Sequence, residues 1–100
     1  MARYFQISNG LRGCYMPDSS SIVQCDTRRA LKSALEWEMN SLRDAEFVGI
    51  TKKDVAWAAA KLWRKDGDAI MPYGRKGEKS RPFAIFIYQS DRAEFLAQEG

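Results

Sequence analysis

The residues with the clearest chemical potential run from Tyr73 to Arg81, as Tyr73-Gly74-Arg75-Lys76-Gly77-Glu78-Lys79-Ser80-Arg81. Arg75, Lys76, Lys79 and Arg81 put four cations on a glycine-containing segment. Such a segment can follow a phosphate backbone while Tyr73 stacks on a base. It can also enter an acidic protein groove through arginine forks. A third reading is a solvated loop that keeps the protein in solution. All three stay open on sequence alone. Arg64 and Lys65 precede this segment and extend the basic surface, with Trp63 as an aromatic neighbour. The predicted partner-binding set is therefore Tyr73, Arg75, Lys76, Lys79, Arg81, Arg64, Lys65 and Trp63.

The charge is unevenly placed. Residues 51–81 carry nine Lys/Arg against four Asp/Glu, whereas the whole chain has a net charge of only +3. That modest total argues against a dedicated non-specific nucleic-acid binder. Lys52 and Lys53 open the second predicted helix, where cations oppose the helix dipole. They need not share a patch with Arg64 and Lys65 at its other end.

Catalytic chemistry has little to stand on. The chain contains no histidine, the side chain that most often runs acid/base work near neutral pH. Cys14 and Cys25 therefore lack a histidine to activate a thiol, and they are too few for a four-ligand zinc site. They read as small buried hydrophobes, with a disulfide or a reactive thiol as alternatives. Glu38 projects near an apolar stripe and is read as a boundary residue paired with a basic neighbour; a raised-pKa acid is the alternative. There is no G-x-S-x-G elbow and no phosphate-binding P-loop. Gly74-Arg75-Lys76-Gly77 has the wrong spacing for one. The expectation is a non-enzyme with no metal and no cofactor.

One hundred residues, 45% of them hydrophobic, predict a single domain over residues 1–100 with a modest core. No apolar run approaches the ~20 residues of a membrane span. Met1-Ala2-Arg3-Tyr4-Phe5 enters a strand pattern with no signal-peptide character. A cytoplasmic protein with no membrane partner is expected.

Residues 3–8 alternate like a strand, and Asn9-Gly10 predicts a hairpin turn. Residues 11–16 then form a returning strand, Pro17-Asp18-Ser19-Ser20 a turn, and residues 21–25 a third strand. Asp26 or Thr27 caps a first helix with Leu31, Ala34, Leu35 and Leu42 on its core stripe. Residues 47–50 form a short apolar link. Thr51 and Asp54 predict a capping box for a second helix, which buries Val55, Ala58, Ala59 and Leu62. Ala58-Ala59-Ala60 keeps one region of it thin, allowing another element to approach closely. Of Trp57 and Trp63, which flank its stripe, at least one should be partly exposed; an exposed Trp can anchor an interface or simply edge the core. Residues 67–82 read as a long loop. Residues 83–88 are apolar on both alternating faces, as in a strand covered on both sides or on one side plus an interface. Ser90 or Asp91 caps a last short helix. The predicted fold is α+β, a single small domain of order βββ-αα-β-α, with an antiparallel sheet packed by two helices on one face.

The run Ser8-Asn9-Gly10-Leu11-Arg12-Gly13-Cys14-Tyr15-Met16-Pro17-Asp18-Ser19-Ser20 resembles the N-terminal part of short proteins encoded by phages and mobile elements. The chain as a whole, a compact helix–sheet domain with no enzyme motif, is similar to phage-encoded anti-CRISPR proteins. That group shares a role rather than a motif, so it supplies no residue to carry over. The resemblance implies stoichiometric binding to a host surveillance complex, a protein or nucleoprotein in a bacterial cytoplasm. A basic segment is the wrong sign for a DNA mimic, so the implied mode is plugging an acidic protein surface or wedging between subunits. A small nucleic-acid-binding accessory or regulatory protein using the same basic loop is the alternative. Monomer and homodimer are both open.

Overall fold

Each helix begins where a polar side chain can close its first turn. In the computed structural model, which describes residues 2–13 and 19–98, the Thr27 hydroxyl accepts from the Ala30 N–H at 3.0 Å and starts α1, Arg28–Asp44. Thr51 and Asp54 form the reciprocal capping box that starts α2, Lys52–Trp63. Asp91 caps the short α3, Arg92–Ala97, through the Glu94 N–H. The strands are β1 (Arg3–Leu11), β2 (Ser19–Cys25), β3 (Phe47–Val48), β4 (Ala69–Arg75) and β5 (Phe83–Ser90). Among the described residues they form one antiparallel sheet in the order β2-β1-β5-β4-β3.

Residues directly opposite in antiparallel pairs share a face. Phe5 and Ile7 of β1, Ala69, Met71 and Tyr73 of β4, and Ile85 and Ile87 of β5 all face one way and are all buried. Leu31, Leu35 and Met39 of α1, with Val55, Ala58, Ala59 and Leu62 of α2, close the core over them. The α+β class and the two long helices on one face follow the predicted architecture. α3 crosses to the other face. Its Phe95 ring lies 5.2 Å from Tyr4. Just beyond α3, the Gln98 amide exchanges two 2.8 Å hydrogen bonds with the Ile22 backbone. Those bonds occupy backbone groups of an outer strand that would otherwise be open to pairing.

Several local expectations give way to tertiary pairing. Asn9 and Gly10 do not turn; they pair with Ile85 and Ala84 inside β1. Asn9 also accepts a hydrogen bond from the Tyr73 hydroxyl. The turn comes instead at Arg12 and Gly13. Of the predicted returning strand, Leu11 belongs to β1 and residues 14–16 lie outside the described residues, as do Pro17 and Asp18. The predicted apolar link contains β3, and the predicted long loop contains β4. Pro72 and Gly74 disguise β4 as loop. Yet Ala69, Met71 and Tyr73 alternate with them and fill the core face. β3 reaches only Gly74 and Arg75, so Pro72 has no strand neighbour on that side.

Candidate functional site

The β4–β5 connection, residues 76–82, is held in place by specific contacts. The Lys76 N–H donates to the Glu46 carbonyl at 2.9 Å, and its ammonium lies 3.7 Å from the Glu46 carboxylate. Arg81 Nη1 donates to the carbonyls of Glu78 at 2.9 Å and Ser80 at 3.1 Å. Arg12, in the turn after β1, reaches across: its N–H donates to the Pro82 carbonyl at 2.8 Å and its guanidinium to the Arg81 carbonyl at 3.0 Å. Gly74 is required here, since a Cβ would sit 2.2 Å from the Ser80 carbonyl oxygen. Gly49, at φ +125°, leaves room in the same way for the Arg81 side chain. The Arg75 guanidinium stands 5.9 Å from the ring centres of both Phe47 and Phe83, an arrangement that favours and orients the cation.

The structure therefore brings Arg75, Lys76, Lys79 and Arg81 together at one end of the sheet. It does not bring Arg64 and Lys65 there. Those two follow α2 at the opposite end of β4, whose seven residues at roughly 3.3 Å each span about 20 Å. Lys52 and Lys53 lie nearer the hairpin end, because α2 starts just after Gly49, which packs on Arg81.

Tyr73 is only 5% exposed. Its ring packs on Phe83 at 5.5 Å and edge-on to Phe47 at 5.4 Å. It is a core residue and has no free face for a base. Trp63 is half-buried and structural as well. The Arg3 guanidinium lies 4.2 Å from its ring centre, and Phe5 lies 6.1 Å away. The exposed tryptophans are Trp37 and Trp57.

Burial, then the neighbouring Asp26, pushes the Cys25 thiol up from its ordinary value, away from the reactive thiolate. Cys14 lies outside the described residues. Burial raises the Glu38 carboxyl above the usual range. Among the described residues no cation is within ion-pair distance of it, so the expected basic partner is missing. Among the same residues no three Cys, Asp or Glu are grouped to hold a metal ion. Among the described residues, no helix is long and apolar enough to cross a membrane.

The residues that sequence reasoning did not place at a site lie on the sheet face opposite α1 and α2. Register puts Gln6, Ser8 and Gly10 of β1, Ser20 and Ile22 of β2, Ile70 and Pro72 of β4, and Phe86 and Tyr88 of β5 on this side. Among the described strand residues on this face, none is charged. Ile70 is 50% exposed and Tyr88 37%. The Phe86 and Tyr88 rings lie parallel, 6.5 Å apart. Gln6, Ser8 and Ser20 bond to one another beside them, two of the contacts at 2.9 Å. A solvated antiparallel face normally reads polar; this one has an aliphatic and aromatic centre. The signal in the sequence was the double-sided apolar run 83–88. One side of it packs into the core; on the other, Ala84 is buried, Phe86 partly buried and Tyr88 exposed, and among the described residues α3 covers the β1–β2 flank.

Comparison with family models, with curated proteins and with solved structures finds no match for this chain.

Proposed function

We propose that this protein is a non-enzymatic inhibitor of phage or mobile-element origin. It acts by stoichiometric protein binding to a host-defence complex of the CRISPR type. The open sheet face is the centre of the interface, and the basic hairpin end is its rim. The observation that carries the binding part is the uncharged face built around Ile70, Phe86 and Tyr88. Interface centres are depleted of charge and enriched in aromatic residues, with polar and charged groups at the edge. Contiguous exposed apolar patches mark interaction sites. At the rim, Arg75, Lys76 and Arg81 are already oriented by contacts within the protein, which lowers the entropy lost on binding. Their sign selects an acidic partner surface. The resemblance to anti-CRISPR proteins supports the choice of partner class.

The test is capture of tagged protein with its partner from host lysate, with and without nuclease. A stoichiometric protein partner should survive nuclease. Arg75→Glu/Lys79→Glu should weaken its binding about tenfold or more, the scale of a 1.4 kcal/mol loss. A partner released by nuclease, or wild-type affinity in the double variant, contradicts the proposal.

A further inference from the structure

The helical layer carries a second surface that the sheet-face reading does not use. Where α1 starts beside the middle of α2, a groove of about 610 Å³ opens between the helices. Its floor is Ala56, Ala59 and Ala60, and its α1 wall is Thr27, Arg28, Arg29 and Lys32. The three cations are exposed, and no carboxylate is among the described residues lining the groove. Lys32 has only a loose pairing with Glu36, at 4.0 Å on the helix surface. Arg28 and Lys32 are four residues apart and so share one face of α1. On α2, Lys53 lies three residues before Ala56 and Arg64 four residues after Ala60, so cations bracket the floor along the helix. Arg64 shares its charge with Asp66 at 3.7 Å.

We propose that this groove takes the phosphodiester backbone of a nucleic acid. Its walls supply positive charge from the α1 side, bracketed by cations on α2. The positive end of the α1 dipole raises the same local potential. Among the described residues lining it, none is aromatic or a large aliphatic, the side chains from which a protein hot spot is built. A repeating anion with no apolar anchor fits; contacts of this kind position a backbone without reading sequence. The groove lies on the layer opposite the open sheet face, so the two surfaces can be engaged together. This proposal stands or falls independently of the protein-binding one.

The experiment is fluorescence anisotropy with the full chain and two labelled probes, a short mixed-sequence DNA duplex and a single-stranded RNA, across a salt series. Binding to either probe should weaken steeply with salt through counterion release. The triple variant Arg28→Ala/Arg29→Ala/Lys32→Ala should bind more than tenfold more weakly at low salt, with a log–log salt slope shallower by about 3, one for each lost phosphate contact. Ala56→Glu keeps every cation and places a carboxylate on the exposed part of the floor; it should weaken binding as well. Arg92→Ala on α3 should bind like the wild type. Absence of binding to both probes at low salt overturns the proposal. So does a wild-type slope in the triple variant, or competition by poly-glutamate as effective as competition by unlabelled nucleic acid.

Discussion

Glu38 sits half-buried on α1, and burial lifts its carboxyl above the ordinary carboxylate range. The sign of the consequence follows from linkage. A carboxyl that titrates higher in the folded state than in the unfolded one holds its proton longer when folded, so stability falls as pH rises through that interval. Above it, the folded protein carries a desolvated charge with no ion-pair partner among the described residues. Glu38→Gln should therefore be more stable than the wild type at neutral pH. The advantage should shrink as pH falls through the folded-state carboxyl range and be lost below the carboxylate range. Urea titrations at several pH values check this; a variant less stable at neutral pH would show that the carboxylate has a stabilising partner. The same residue shows a limit of sequence reasoning. Helical spacing placed Glu38 beside the apolar stripe, but it could not say whether a cation would arrive from another element.

At the scale of elements, the end of α2 is held by side chains from strands. Arg3 donates to the carbonyls of Trp63 at 2.7 Å and Leu62 at 3.1 Å, and Gln89 donates to Leu62 at 2.7 Å. A cation at a helix C-terminus also matches the helix dipole. With the ring contact to Trp63 added, Arg3→Ala should cost about 1–3 kcal/mol, read as a lower denaturation midpoint with an unchanged slope. A loss within a few tenths would mean that water replaces the guanidinium at no cost. Elements with their own local signals were legible. Thr27 and the Thr51–Asp54 box start helices where the sequence places them, and the buried residues of α2 are those of its predicted stripe. Elements made by distant pairing were not legible. β4 hides behind Pro72 and Gly74, and it is a strand because Met71 and Tyr73 pair opposite Ile85 and Phe83. Asn9-Gly10 carries the strongest short hairpin signal in the chain, yet pairing with β5 draws it into a strand.

Over the whole molecule, three surfaces differ in character. The described strand residues of one sheet face carry no charge and include an aromatic pair, one sheet end is basic, and the groove between α1 and α2 is basic over an alanine floor. The sequence showed the cations of the β4–β5 connection but grouped them with Arg64 and Lys65, which follow α2 at the far end of β4. It also showed that 83–88 was apolar on both sides. Which side is open became legible only once register aligned Phe86 and Tyr88 with Ile70 across two strands. The central claim is that the uncharged face is the interface, and the most direct measurement is a binding titration against the purified captured partner. Ile70→Glu/Tyr88→Glu alters two exposed positions and puts carboxylates into the proposed interface centre. The account predicts saturable, stoichiometric binding by the wild type and an affinity about tenfold or more weaker for the double variant, while the variant keeps its fold by circular dichroism. A folded double variant that binds like the wild type would contradict it.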